Sequence, residues 1–187
     1  MKGESGAVRR ARRIGAASAL GMGGIAAVAV ADLVRNDDAF EEDWNGFLIE
    51  GVALGLWLLP YLLFAFWLAA LMRVTRERGE GAGLPSALGA GLGMFFFPAT
   101  LGLPVRALLH GAHRLGARAG RPILFMFASH AASFGMSLVY LFEPVSWWEG
   151  VIPLIDAATL LGALASVVIV ARVDRALRRG SAADVFA

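Results

Sequence analysis

The sequence predicts an all-α membrane protein: a bundle of four transmembrane helices, a re-entrant or half-buried segment rich in proline and glycine, and an interfacial amphipathic helix. Hydrophobic residues make up 58% of the chain and charged residues 17%, whereas a soluble domain carries roughly a quarter charged residues. This apolar excess indicates surface that faces lipid. The chain contains no cysteine, which excludes disulfides, thiolate metal sites and cysteine nucleophiles.

Four segments are long and apolar enough to cross a bilayer, for which about 20 residues are needed. They are residues 14–34, 47–72, 122–142 and 151–171, within a single membrane domain of residues 1–187. A fifth segment, 84–105, has the length but carries Pro85, Pro98 and Pro104 and several glycines. Broken backbone at membrane depth is tolerated only where protein or water covers it. Segment 84–105 is therefore predicted to be re-entrant or half-buried.

The distribution of charge predicts the topology. Basic residues form blocks within 9–13, 73–78, 106–121 and 172–179, and an acidic cluster lies at 37–43. Each basic block borders an apolar run, which is typical of cytoplasmic membrane flanks and argues against nucleic-acid binding. A full crossing by 84–105 would place two basic blocks outside, whereas a re-entrant segment keeps all four inside. We therefore predict four spans in the bacterial inner membrane, with both termini cytoplasmic.

The amino terminus allows one alternative. Its basic residues, apolar run and Ala29-Val30-Ala31 resemble a signal peptide with a small-residue cleavage site. The apolar run continues past that site to Val34, so we expect the first helix to be retained. Cleavage would leave the orientation of the other helices unchanged.

Residues 106–121 have the periodicity of an amphipathic helix that lies at the membrane surface. The polar positions are Arg106, His110, His113, Arg114, Arg118 and Arg121. The opposite face carries Val105, Leu108, Leu109, Ala112, Leu115 and Ala119. Two of the polar residues, His110 and His113, are one turn apart, but Arg106 and Arg114 share their face and oppose a cation. We predict no metal site there.

Small residues recur at every fourth position of the first helix: Gly15, Ala19, Gly23, Ala27 and Ala31. In lipid, helices associate by close backbone approach, which small side chains permit. The pairs Gly51/Gly55 and Gly162/Ser166 repeat the pattern on two other helices. We predict packing inside the bundle, with a homo-oligomer interface as the alternative.

His130 lies near the middle of the third span, close to Ser129, Ser133 and Ser137. An ionisable residue at that depth is a functional hypothesis by default. One interpretation is an axial ligand to haem or a chlorin, because imidazole suits such metals and small neighbours leave room for a macrocycle. Electron-transfer haems usually need two ligands, however, and the other histidines belong to the interfacial helix. We therefore favour a neutral histidine bonded to a serine or a carbonyl, and expect no cofactor.

Three carboxylates, Asp32, Glu50 and Asp156, fall in the outer parts of their spans. A carboxylate at that depth is costly unless it is hydrated, paired or protonated. One hypothesis is an ion pathway, with these groups as an outward-facing vestibule. The alternative is that they are helix ends that meet water, with Asp32 paired to Arg35.

Three stretches carry a resemblance: FAFWLAALMRVTRERG, GMFFFPATLGLPVRALLHGAHRLG and VVIVARVDRALRRG. Together they resemble a family of small bacterial four-helix membrane proteins defined as a domain of unknown function. Members have an Arg-rich exit from the second helix, followed by an aromatic segment with two spaced prolines and a basic helix. Pro98, Pro104 and Arg106 match that element. The resemblance implies a four-helix membrane fold and brings no known activity.

The sequence contains no phosphate-binding loop, nucleophile elbow or metalloprotease helix. It therefore predicts a protein that is not an enzyme: a subunit or accessory partner of a membrane assembly, or a homo-oligomer. The expected partners are the lipid bilayer and other membrane subunits or a second copy, and no nucleic acid.

Overall fold

The computed structural model describes residues 5–35, 46–79, 83, 85–92, 102–142 and 151–186. The elements are six helices: α1 (Gly6–Arg35), α2 (Gly46–Glu77), α3 (Ala87–Leu92), α4 (Gly102–Arg114), α5 (Gly120–Phe142) and α6 (Ile152–Phe186). Every regular element in this part of the chain is helical, which confirms the all-α prediction.

Three helices in the described residues are long and apolar enough to cross a membrane. They are Gly6–Ala31, Leu58–Glu77 and Ile152–Arg179, and they overlap three of the four predicted spans. The remaining predicted span, 122–142, falls on α5, which has 23 residues. Its crossing stays a prediction. Of the predicted re-entrant segment, residues 93–101 lie outside the described residues.

Among the four long helices, α1 packs against both α2 and α6, and α5 packs against α6. The short helices α3 and α4 pack against α2, and α4 also contacts α5. Helix α4 thus bridges α2 and α5. A continuous core of buried apolar side chains joins all of these elements.

Basic residues from distant parts of the sequence meet at one end of the bundle. Arg12 of α1 donates through Nε to Oδ1 of Asp174 of α6 at 2.8 Å. Arg172 of α6 donates to the carbonyl oxygen of Arg118, in the turn before α5. The amino-terminal ends of α1 and α5 and the carboxy-terminal part of α6 therefore lie together.

The predicted helix over 106–121 is wrong in its extent. Helix α4 begins at Gly102 and ends at Arg114. Gly116 follows with a φ of 68°, and its N–H bonds to the carbonyl of His113 while that of Ala117 bonds to the carbonyl of Ala112. This pair of hydrogen bonds is a Schellman motif, for which a glycine in the left-handed region is favoured. The motif ends α4, and α5 begins at Gly120.

The amphipathic character of this region is confirmed, but its apolar face is covered by protein. All six predicted polar residues are exposed, while Ala107, Leu108 and Ala112 are buried. At Gly111, an added Cβ would lie 2.6 Å from the terminal methyl of Met72 on α2. Helix α4 therefore packs directly against α2. Periodicity identifies the apolar face, but it does not distinguish a protein neighbour from lipid.

The small-residue stripe of α1 packs into the bundle at only one end. Gly15 is buried and Ala19 is partly buried, whereas Gly23 and Ala27 are exposed. A Cβ added at Gly23 would meet no atom within 4 Å, so the prediction that this part packs inside the bundle is wrong. The reason is geometric: a helix has 3.6 residues per turn, so a stripe at every fourth position rotates by about 40° per step.

The buried face of α1 follows the helical period instead. Its members are Val8, Ala11, Gly15, Ser18, Met22, Ile25, Ala26 and Ala29. Between these positions, Gly21 approaches Pro60 of α2: an added Cβ would lie 3.1 Å from both Cβ and Cγ of the proline. Close approach between α1 and α2 thus uses Gly21, which the every-fourth pattern does not include.

Candidate functional site

Polar side chains line the contact between α5 and α6. The hydroxyl oxygens of Ser133 and Thr159 lie 2.8 Å apart in a hydrogen bond between two buried residues. Ser166 donates to the carbonyl oxygen of Gly162 at 2.9 Å. These residues, together with His130, recur at intervals of three and four residues on each helix. One face of α5 therefore contacts one face of α6.

His130 occupies the space that the missing side chain of Gly162 leaves. A Cβ at Gly162 would lie 2.7 Å from Cε1 of the imidazole, 2.8 Å from Nδ1 and 3.0 Å from Nε2. The ring of Tyr61 on α2 lies edge-on to the same imidazole, with ring centroids 5.4 Å apart and an interplanar angle of 68°. The imidazole of His130 on α5 therefore lies between the ring of Tyr61 on α2 and the backbone of Gly162 on α6.

The hydrogen bonding of His130 differs from the predicted pattern. Its Nε2 is buried and makes no hydrogen bond within the described part of the chain. Ser133, one of the predicted partners, bonds to Thr159 instead. A buried polar atom without a partner costs about 1–3 kcal/mol and is uncommon. This makes His130 the leading candidate for a functional residue among the side chains that the structure describes.

The chemistry open to this site is that of a neutral imidazole, which has one donor and one acceptor nitrogen. A macrocycle would have to approach a nitrogen of a ring that already fills the space at Gly162. Because Gly162 has no side chain, the imidazole of His130 itself occupies the space beside it. The haem or chlorin hypothesis stays a prediction that an absorption spectrum can test.

The other candidate residues lie elsewhere on α6, on α4, or have side chains outside the described residues. Asp156 is partly buried on α6, while the side chains of Asp32 and Glu50 lie outside the described residues. The ion-pathway hypothesis therefore stays a prediction. His110 and His113 are exposed on α4, and the described residues contain no cluster of three metal-ligating side chains.

Sequence reasoning identified His130, Ser133, Gly162 and Ser166 but missed the contributions of Tyr61 and Thr159. Tyr61 and Thr159 are visible in the sequence as polar side chains within apolar runs. Their partners lie on a different helix, however, and spacing along one helix does not identify a partner on another.

No protein-family model matches the chain, and neither a curated protein nor a solved structure is significantly similar to it. The resemblance to the four-helix family accordingly stays a prediction.

Proposed function

We propose that this chain is a multi-pass membrane protein that catalyses no reaction and acts by packing α1 against a helix of another membrane subunit or of a second copy. The observation that carries this proposal is the outward face of α1. Its exposed residues include five small ones outside the contact with α6: Ala17, Gly23, Gly24, Ala27 and Ala31. Such residues let a second helix approach the backbone closely, which drives helix association in lipid.

The other long helices provide an internal comparison, because their outward faces carry large apolar side chains. These include Leu58, Leu62 and Phe66 on α2, Leu124, Phe125 and Phe134 on α5, and Leu161, Leu164 and Val168 on α6. Large side chains suit contact with lipid tails and keep another backbone at a distance. On α1, Leu20, Val28, Val30 and Val34 are also exposed, but the glycines and alanines among them leave parts of the backbone open to close approach.

Replacing Gly23 with leucine should disperse the assembly and leave the folded protomer intact. A Cβ added at Gly23 would meet no atom of its own bundle within 4 Å, whereas a leucine side chain there would force a partner helix away. Light scattering in mild detergent should show a loss of mass, with an unchanged thermal unfolding midpoint. Gly135→Leu is the matched control, since Gly135 on α5 is also exposed and a Cβ added there would meet no atom within 4 Å.

Two results would contradict the proposal. In one, the wild-type protein has the mass of a single protomer and co-purifies with no partner. In the other, Gly23→Leu and Gly135→Leu change the mass equally, so that the outward face of α1 contacts only lipid.

The proposed topology is four crossings, with both termini in the cytoplasm and segment 84–105 returning to its side of entry. It is supported by the contact between α4 and the carboxy-terminal part of α2 at Gly111 and Met72, and by the Arg12–Asp174 ion pair between the terminal helices. With the hydrogen bond from Arg172 to the carbonyl of Arg118, these contacts support one basic end of the bundle, the distribution expected of a cytoplasmic side.

Reporter fusions at the two termini should both give a cytoplasmic signal, because an even number of crossings returns the chain to its starting side. Single cysteines at exposed α4 positions such as Arg106 and Arg114 should react only with reagents applied from the cytoplasm. An external carboxy terminus would mean that 84–105 spans the membrane, and the four-crossing topology would be wrong.

A further inference from the structure

A groove of about 430 Å³ runs between α1 and α6 at the basic end of the bundle. Its accessible apolar wall includes Ala16, Val167 and Ala171. Small side chains open the groove at Ala16 and Ala171, whereas the space at Gly15 is filled by the indole of Trp67 from α2. Its volume lies within the range of sites that hold small molecules.

The rim of the groove is strongly basic. Arg9, Arg12, Arg13 and Arg178 line it together with one acid, Asp174. The aspartate is neutralised by two of these arginines, with Arg12 Nε at 2.8 Å and Arg178 Nε at 2.7 Å from its oxygens. The rim thus carries an excess of three positive charges. Arg9 and Arg13 are exposed, so their guanidinium groups can contact an anion at the groove.

The apolar part of the groove lies along α1 and α6, which are both long and apolar enough to cross a membrane. Its basic part lies where these two helices reach the end of the bundle. Ala16 lies within the span Gly6–Ala31 and Val167 within Ile152–Arg179. Arg9 and Arg13 belong to the first two turns of α1. A ligand that matches both features has a hydrocarbon chain and an anionic head, with the head at the bilayer surface.

We propose that the α1–α6 groove binds one anionic phospholipid, with an acyl chain along Ala16, Val167 and Ala171 and the headgroup phosphate on Arg9 and Arg13. Guanidinium groups pair with phosphate oxygens in a bidentate geometry. A second copy of the chain fits less well, because a parallel neighbour would bring its own basic end to the same level. The inference rests on the proposal that the protein spans a membrane.

The test uses the full-length protein in bilayers of phosphatidylcholine with a minority of phosphatidylglycerol of the same acyl chains. After extraction in mild detergent, the lipids retained per protein are counted by native mass spectrometry. The wild-type protein should retain one phosphatidylglycerol in preference to phosphatidylcholine. The double variant Arg9→Gln/Arg13→Gln removes two charges, each of which attracts an anionic surface by about 1 kcal/mol. Its preference for phosphatidylglycerol over phosphatidylcholine should therefore fall by about 10-fold or more.

The matched control is Arg106→Gln/Arg114→Gln, which removes the same charge from exposed positions on α4 and should leave the preference within about twofold. Ala16→Phe fills the groove without altering charge and should also reduce retention. Glycerol phosphate, which has the head but no acyl chain, should not displace the lipid.

Equal losses in the two double variants would overturn the site, since attraction to the basic end as a whole would explain them. Retention unaffected by Ala16→Phe, or displacement by glycerol phosphate, would also overturn it. These failures are separable from failure of the membrane proposal, which would appear as wild-type protein in the soluble fraction of cells.

Discussion

Gly15→Leu is expected to destabilise the folded bundle by about 3 kcal/mol, at the upper end of typical overpacking costs. A Cβ at this position would lie 2.8 Å from Nε1 and 3.0 Å from Cδ1 of Trp67, and 3.3 Å from Cγ1 of Val170. The indole has little room to move, since Trp67 is 1% exposed and its ring packs at 5.1 Å on that of Phe64. Leucine therefore has to push α1 away from α2 and α6.

The measurement is the free energy of unfolding in mixed detergent micelles, with Gly135→Leu as the control for adding the same side chain to an open helix surface. A double-mutant cycle identifies the contact. Trp67→Phe shortens the ring that faces Gly15, so Gly15→Ala should cost less in the Trp67→Phe background than alone. If the two substitutions are additive, or if Gly15→Leu costs no more than Gly135→Leu, the close approach at Trp67 does not stabilise the bundle.

Gly162→Leu should also cost about 3 kcal/mol, because the imidazole of His130 fills the space at position 162. Three ring atoms would lie between 2.7 and 3.0 Å from a new Cβ, and the edge-on ring of Tyr61 restricts where the imidazole can go. His130→Ala alone should cost about 1–3 kcal/mol, because the cavity that it leaves costs more than removal of the unpaired Nε2 recovers. In the double variant, leucine occupies the vacated space, so the combined loss should be smaller than the sum of the two.

The same variants test whether His130 binds a pigment. The purified wild-type protein is expected to be colourless, and its unfolding energy should report only packing and polar contacts. A Soret or chlorin band that His130→Ala abolishes would establish the axial-ligand role and contradict this expectation. Full additivity of Gly162→Leu and His130→Ala would show that the two residues do not share one space.

Much of the architecture follows from local properties of the chain. The positions of the long apolar helices are set by runs of side chains that must leave water, and a run of about 20 residues is detectable without knowing its neighbours. The exposed polar residues from Arg106 to Arg114 were likewise predictable, because helical periodicity places them on one face of α4. The candidate site was predictable in part, since His130 is conspicuous as an ionisable residue within an apolar run.

The tertiary structure decided which surfaces meet. The every-fourth stripe on α1 correctly included Gly15 but extended to Gly23, because a regular spacing in sequence does not show how far the helix has rotated relative to its neighbours. Likewise, the partner of His130 is Gly162, 32 positions later, and the ion pair of Arg12 with Asp174 spans 162 positions. Such contacts depend on the relative placement of helices. That placement comes from the packing of all side chains together, whereas helix formation and lipid exposure depend on residues close in sequence.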